Sequence, residues 1–175
     1  NENFFRHNRR GNFVAHDYAH NMLVGLEKNA IIFTNGDNDT FPLWYIQEVE
    51  GFRKDVRVLC LSLLNTDWCI KQARDYEPKV PINLTDAEID NLQPFRDKNG
   101  KVWLVKDTIV RHIIEANQWK RPVYLAVTVP EQMGLEAQLQ MEGLVYRVLP
   151  EPPKARLNAA KTRENLHQNY RYRGF

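Results

Sequence analysis

The sequence predicts an α/β fold in which a mostly parallel sheet carries helices on both faces. Three short apolar runs, at residues 30–34, 56–62 and 122–129, are typical of strands that are buried on both faces. Segments with apolar residues at helical spacing separate these runs. Such alternation favours parallel strands that are joined by right-handed crossovers, and therefore a three-layer architecture.

The first predicted helix runs from Ala15 to Leu26, where apolar residues recur at helical spacing. The polar side of this helix carries His16, Asp17, His20 and Asn21. The two histidines have the spacing of two metal ligands on one helix face, but no third ligand is evident. We therefore predict that both histidines face solvent. The strand over residues 30–34 follows this helix and ends at Asn35-Gly36.

A second helix should follow this strand at once. Asp39 or Thr40 can cap its N-terminus, Pro42 suits a first turn, and Gly51 can end it. The next strand covers residues 56–62, and the loop 65–67 can cap a third helix that runs to about residue 76. These elements form one strand–helix–strand unit with its following helix.

The second half of the chain resumes the same pattern after an irregular stretch that contains Pro78 and Pro81. Its predicted elements, in order, are a helical turn at 86–92, a short strand at 102–105, a helix capped by Asp107 or Thr108, the strand at 122–129, a helix at 135–141 and an edge strand at 143–149. The predicted domain therefore spans residues 13–150. A polar tail or linker, 1–12, precedes it, and a C-terminal arm, 151–175, follows it.

Composition excludes several classes of protein. The 175 residues include 24 basic and 22 acidic side chains, a balance that gives no reason to expect a nucleic-acid partner. We interpret the arginines near both termini as parts of solvated tails. Cys60 and Cys69 have no metal-motif spacing and are expected to be core thiols. No apolar run is long enough for a membrane helix, and the sequence begins at Asn1, so it looks like a soluble piece of a longer protein.

The predicted architecture is a Rossmann-like sheet with the order 2-1-3 for its first three strands and an antiparallel edge strand. Ligands of such folds bind outside the carboxyl ends of the parallel strands. The polar residues that follow the three strands are therefore the candidate ligand-binding residues: Asp37, Asn38, Asp39, Asn65, Asp67, Trp68 and Glu131.

Asp37 and Asp39 are two positions apart in the turn after the first strand, and this spacing has two interpretations. The carboxylates could bind a divalent cation, which in turn could hold a sugar-nucleotide diphosphate. Alternatively, Asp37 bonds to amides of the turn while Asp39 caps the next helix. The second interpretation makes the pair structural.

The loop that contains Asn65, Asp67 and Trp68 is similarly open to two interpretations. Its amide and carboxylate could bind hydroxyl groups while the indole stacks on a sugar ring, or the same residues could cap a helix and fill the core. Glu131 could complete the crevice or simply begin a helix after Pro130. The sequence contains no Gly-x-Gly-x-x-Gly, phosphate loop or Gly-x-Ser-x-Gly elbow, so the common dinucleotide, P-loop and serine-hydrolase mechanisms are not expected.

Several segments of the chain resemble a known family. The most specific is AIIFTNGDNDTFPLWY at residues 30–45, and the shorter matches are DVRV at 55–58, LSLLNTDW at 61–68, KRPVY at 120–124, EGLVY at 142–146 and YRYRG at 170–174. The chain resembles the soluble C-terminal region of bacterial polytopic membrane proteins that are similar to protein O-mannosyltransferases, which are glycosyltransferases of the GT-C type. This region has long been an uncharacterised domain.

The resemblance implies that catalysis belongs to a membrane domain outside this chain, so it assigns no catalytic residue here. It implies an accessory domain that is periplasmic or extracellular and is anchored through its parent protein. We expect this domain to require no cofactor. The expected partners are the transmembrane domain of the parent, a glycan or an acceptor protein. The alternative function is a self-contained, metal-dependent enzyme that binds a sugar nucleotide through Asp37 and Asp39, with a divalent cation as its cofactor.

Overall fold

The computed structural model describes residues 3, 7, 8, 10–130 and 133–173. The α-helices are α1 (Val14–Val24), α2 (Asp37–Glu48), α3 (Asp67–Asp75), α4 (Asp86–Asp90), α5 (Val105–Asn117) and α6 (Ala159–Glu164). The strands are β1 (Ile31–Thr34), β2 (Arg57–Cys60), β3 (Phe95–Arg96), β4 (Val102–Trp103), β5 (Val123–Ala126), β6 (Leu139–Met141) and β7 (Val145–Val148). Short 3-10 turns lie at Leu63–Asn65 and Glu136–Gln138, and a π-helical turn lies at Asn165–Asn169.

Five strands form one mixed sheet in the order β2-β1-β5-β7-β6. β1 pairs in parallel with both β2 and β5, whereas β7 is antiparallel to β5 and to β6. β3 and β4 form a separate antiparallel pair. The α/β class, the 2-1-3 order of the first three predicted strands and an antiparallel strand at the edge are confirmed, but the strand predicted at 143–149 is β7, which lies one position inside that edge.

The prediction of a helix at residues 135–141 is wrong. Residues 136–138 form a 3-10 turn, and Leu139–Met141 is strand β6, the actual edge of the sheet next to β7. Leu135 and Leu139 have helical spacing, but Leu139 and Met141 also fit the two-residue period of a strand. Pairing with β7 decides between the two patterns, because tertiary contacts override such weak local preferences.

The order in which the chain adds strands reverses between β1 and β5, which makes this position the topological switch point of the sheet. The connection from β1 through α2 leads to β2 on one side, and the connection from β2 through α3, α4 and α5 returns past β1 to β5. Right-handed crossovers therefore place α2 and α5 on opposite faces of the sheet, and α1 packs against α2. β1 and β5 are buried along their whole lengths, so the core is centred on this switch point.

Two helices begin earlier than their acidic residues suggest. α2 begins at Asp37 after the N-cap residue Gly36, and Asp39 is its third residue, so neither Asp39 nor Thr40 is the N-cap as predicted. The Asp39 carboxylate instead accepts a hydrogen bond from the Asn35 amide at 3.1 Å. Asp107 is likewise the third residue of α5 and accepts from the Leu104 amide at 2.8 Å. In both helices, the carboxylate of the third residue accepts a hydrogen bond from a backbone amide just before the first helical residue.

The C-terminal arm packs against the domain, so the interpretation of its described part as a solvated tail is wrong. Residues 155–158 cover the outer edge of β6, where the Met141 amide donates to the Arg156 carbonyl and the Asn158 amide donates to the Met141 carbonyl. Further along, Asn165 is buried, and the Tyr170 hydroxyl accepts from the Leu144 amide at 3.0 Å.

The end of the arm covers the polar side of α1. The side chain of Asn21 exchanges two hydrogen bonds with the backbone of Arg171, at 2.7 and 2.8 Å. Asp17 is only 1% exposed, and its carboxylate accepts from the Arg173 amide at 2.7 Å and from Nη2 of the same residue at 2.6 Å. The polar residues of this helix therefore bind another part of the chain.

The two histidines of α1 have different surroundings. His20 is buried and stacks on Phe52 with 4.8 Å between ring centroids, so the prediction that it faces solvent is wrong. Burial lowers the pKa of His20. His16 is partly exposed, and its Nε2 lies 2.9 Å from a Glu50 oxygen.

Cys60 and Cys69 are both buried and free, as expected for core thiols. Within the part of the chain that the structure describes, no helix is both long and apolar enough to cross a membrane.

Candidate functional site

Asp39 lies at the switch point of the sheet and is 6% exposed. Besides the Asn35 amide, its carboxylate accepts hydrogen bonds from the Thr128 hydroxyl after β5 and from the Tyr18 hydroxyl of α1 at 3.4 Å. Burial and the nearby Asp39 charge raise the pKa of Tyr18, which keeps the phenol protonated as a donor. Asp39 thus joins two strand ends and α1 through neutral donors.

Asp37 and Asn38 are exposed in the first turn of α2. Asp39 is directed to Thr128 and Tyr18, whereas Asp37 lies at the surface beside it. Among the described residues, no group of three or more His, Cys, Asp and Glu side chains is placed to hold a metal ion. Glu131 lies outside the described residues.

Asn65 makes a structural connection between β2 and α5. Its Oδ1 accepts from the Lys106 amide at 3.1 Å, and its Nδ2 donates to the Ser62 carbonyl at 3.3 Å. Asp67, the first residue of α3, is exposed and lies 3.9 Å from the Lys71 ammonium one turn later. Neither residue therefore contacts Asp39 or its partners Tyr18, Asn35 and Thr128 through the hydrogen bonds and ion pairs of the described residues.

Trp68 is 52% exposed and lines a groove of about 770 Å³ beside β2. α2 contributes Trp44, Gln47 and Glu48 to the groove, and α3 contributes Trp68 and Gln72. The remaining lining residues belong to the segment just after α3 and to β2 with its preceding loop: Tyr76, Glu77, Pro78, Lys54, Val56, Arg57 and Val58. Of the candidate residues that the structure describes, only Trp68 lines this groove, while Asp39 is buried at the switch point and bonds to Tyr18 and Thr128.

Arg57 is a groove residue that the sequence analysis did not select. Its guanidinium covers the C-terminal end of α3, where it donates to the carbonyls of Gln72 at 3.3 Å, Tyr76 at 3.3 Å and Glu77 at 3.4 Å. Its Nε is buried and has no hydrogen-bond partner, and burial lowers the pKa of Arg57. The sequence signal for Arg57 was its position in an otherwise apolar strand, because charged side chains are rarely buried without a partner.

The groove runs along the open edge of β2. The amides of Arg57 and Leu61 donate to carbonyls of the β1 segment, so the backbone groups of the alternate residue Val58 face the groove. Two side chains of α2 already bind outward carbonyls of the β2 segment. Gln47 Nε2 donates to Val56 at 2.8 Å, and Trp44 Nε1 donates to Val58 at 3.5 Å. The outward carbonyls of Val56 and Val58 at this edge therefore already have hydrogen-bond donors.

Comparisons with known proteins support the similarity to protein O-mannosyltransferase-like proteins that was noted in the sequence. The family model for the TMEM260-associated domain 2 matches residues 15–99 and 90–167. The chain is also 27% identical over 123 residues to the Protein O-mannosyl-transferase tmem260 of Dictyostelium discoideum. That match covers 70% of this chain and 13% of the Dictyostelium protein. No solved structure matches the chain significantly. With a family model matching most of its length, the chain belongs to the TMEM260-associated domain 2 family.

Proposed function

We propose that this chain is an extracytoplasmic accessory domain of a membrane-anchored, glycosyltransferase-like protein. In this proposal it binds an acceptor polypeptide or its glycan, contacts the transmembrane domain of its parent and does not catalyse transfer by itself. Family membership supports the proposal, as does the similarity to a protein that is named a protein O-mannosyltransferase.

The observation that carries the proposal is the groove beside β2. Trp44, Trp68 and Tyr76 bring three aromatic side chains to its walls, and Trp68 and Tyr76 are more than half exposed. Aromatic faces are suited to stack on sugar rings and on apolar side chains. The volume of about 770 Å³ is within the range of ligand-binding clefts.

The contacts of Asp39 favour a binding role over metal chemistry at the strand ends. Its two carboxylate oxygens already accept from an amide and two hydroxyl groups. A cation bridging Asp37 and Asp39 would have to displace these donors from a buried position, which costs free energy for every donor that is left unpaired.

The binding experiment uses calorimetry with a mannosylated glycopeptide and with the same peptide unmodified. Trp68→Ala should weaken binding of the preferred form by about tenfold or more, because stacking on the indole is lost. Trp119→Ala is the matched control. Its indole is 43% exposed but lines a different cleft, so this change should leave affinity within about twofold. Equal effects of both changes would refute the role of the groove.

A turnover assay tests the non-catalytic part of the proposal. The chain is incubated with lipid-linked mannose or with a mannose nucleotide, an acceptor peptide and Mn²⁺ or Mg²⁺. We expect no transfer. Transfer at an ordinary enzymatic rate that Asp37→Ala abolishes would instead establish the metal-dependent enzyme.

A further inference from the structure

The groove occupies the place that the next strand of the sheet would take. β2 is the outermost strand on its side, and α2 and α3 rise on either side of it. In a strand that lies 4.8 Å from its neighbour between layers about 10 Å apart, each residue takes up about 160 Å³. The groove of about 770 Å³ therefore matches about five residues of extended chain.

The backbone of β2 offers hydrogen-bonding groups to such a strand. The Val58 amide faces the groove, because the amides of Arg57 and Leu61 point to the other side and donate to the β1 segment. Among the residues that the structure describes, the Val58 carbonyl accepts only from Trp44 Nε1. This distance of 3.5 Å is the long limit of a hydrogen bond, and a second lone pair of the carbonyl is free. An added strand can therefore both accept from and donate to Val58.

The charge of the groove indicates the kind of side chain that the strand carries. Within the described residues, Arg57 donates only to backbone carbonyls and makes no ion pair, and its buried Nε has no acceptor. Of the two acids of the groove, Glu48 lies 3.4 Å from Lys54, whereas Glu77 accepts from the Lys79 amide at 3.2 Å and its charge acts on Arg57 without forming an ion pair. The Nη atoms of Arg57 make only exposed hydrogen bonds of 3.3–3.4 Å to carbonyls, so a carboxylate supplied by the ligand can bind the guanidinium from the groove.

We propose that an extended acidic polypeptide segment of about five residues pairs with β2 as a sixth strand of the sheet. Its carboxylate binds Arg57, and its apolar side chains pack on Trp44 and Trp68. This inference rests on the proposed function and refines it, because it identifies the acceptor as an unfolded stretch of polypeptide. Strand addition supplies affinity through the backbone, and the side-chain pockets supply specificity.

The test uses the 175-residue chain and a fluorescent eight-residue peptide of alternating valine and threonine with a central glutamate. Fluorescence anisotropy should give saturable binding. A peptide with lysine in place of the glutamate should bind about tenfold more weakly, and so should a peptide with methylated backbone nitrogens. Arg57→Gln should remove the preference for glutamate over lysine. The two peptides probe the charge without changing the protein, so they remain informative if Arg57→Gln is unstable.

Amide hydrogen exchange measured by NMR distinguishes strand pairing from other modes of binding. The glutamate peptide should slow exchange at the Val58 amide by about tenfold or more. The Leu61 amide already donates to Thr34 and serves as the internal control, which should not change.

Four results would overturn the proposal. They are peptide binding that leaves Val58 exchange unchanged, no binding of either peptide at about 1 mM, protection of Val58 by a mannose oligosaccharide alone, and protection by dimerisation of the chain without peptide. If peptide pairing with β2 is observed but calorimetry detects no binding of the glycopeptide or of its unmodified form, the groove binds a strand and the proposed function fails separately.

Discussion

The contact between Arg173 and Asp17 gives a quantitative test of how the C-terminal arm is held. Arg173→Ala removes the guanidinium donors at 2.6 and 3.1 Å but keeps the backbone donor at 2.7 Å. Each charge-assisted hydrogen bond contributes about 1.5–3 kcal/mol. Because the Arg173 side chain is 46% exposed, solvent screens the pair and can hydrate Asp17 after the change. We therefore expect a loss of about 2 kcal/mol in unfolding free energy.

Urea denaturation followed by circular dichroism measures this loss, and Arg171→Ala is its matched control. Arg171 contacts Asn21 only through backbone atoms in the described hydrogen bonds, so truncating its side chain should change stability by less than about 0.5 kcal/mol. A domain of this size should lose roughly 4–8 °C in Tm for Arg173→Ala. If both variants lose the same stability, the ion pair does not hold the arm.

Acidification should reduce the difference between the wild-type chain and Arg173→Ala. The hydrogen bond from Arg173 lowers the pKa of Asp17 below its ordinary value. A lowered native pKa contributes stability that is fully present above the unfolded value of about 3.9 and is lost as pH falls through the native value. The two unfolding free energies should therefore differ most near neutral pH and converge at strongly acidic pH. A difference that stays constant with pH would contradict an ionic contact.

Three further perturbations test other parts of the fold. Asp39→Ala should cost about 2 kcal/mol of unfolding free energy, and Asp39→Asn less than half of that, because an amide oxygen still accepts two of its bonds; two equal and stabilising changes would refute this role. Gly143→Ala should cost clearly more than Gly100→Ala in the same assay: both have positive φ, but the added Cβ of Gly143 would collide with the Tyr170 hydroxyl, whereas Gly100 faces open space and should cost about 1 kcal/mol. Burial raises the pKa of Cys69 to about 11, so a thiol reagent at about pH 8 should label it far more slowly in the native chain than in urea; equal rates would contradict its burial.

Local pattern was sufficient to predict parallel strands of the sheet. Residues 30–34 and 56–62 contain β1 and β2, since continuous apolar runs have few alternatives in a chain of this composition. Helix starts were less predictable. Asp39 was assigned to the N-cap but is the third residue of α2, because an acid satisfies free amides from either position.

The candidate site was harder to predict, because side-chain direction depends on helix phase and on distant contacts. Asp39 and Trp68 both follow strand ends, yet Asp39 points to the switch point and Trp68 lines the groove beside β2. Burial of the polar side of α1 depends on Arg171 and Arg173, about 150 residues further along the chain. The local spacing of apolar residues carries no information about a contact between residues so far apart in the sequence.

The two margins of the sheet differ in a way that limits assembly. Residues 155–158 already occupy the β6 margin, while the β2 margin faces the groove. A sheet with two open margins can stack copy upon copy into a growing fibre, because each addition creates a new acceptor. Here residues 155–158 cover one margin, so in the described structure the sheets of two copies can pair only through their β2 margins. Strand pairing between copies should therefore stop at a dimer and not continue into polymers.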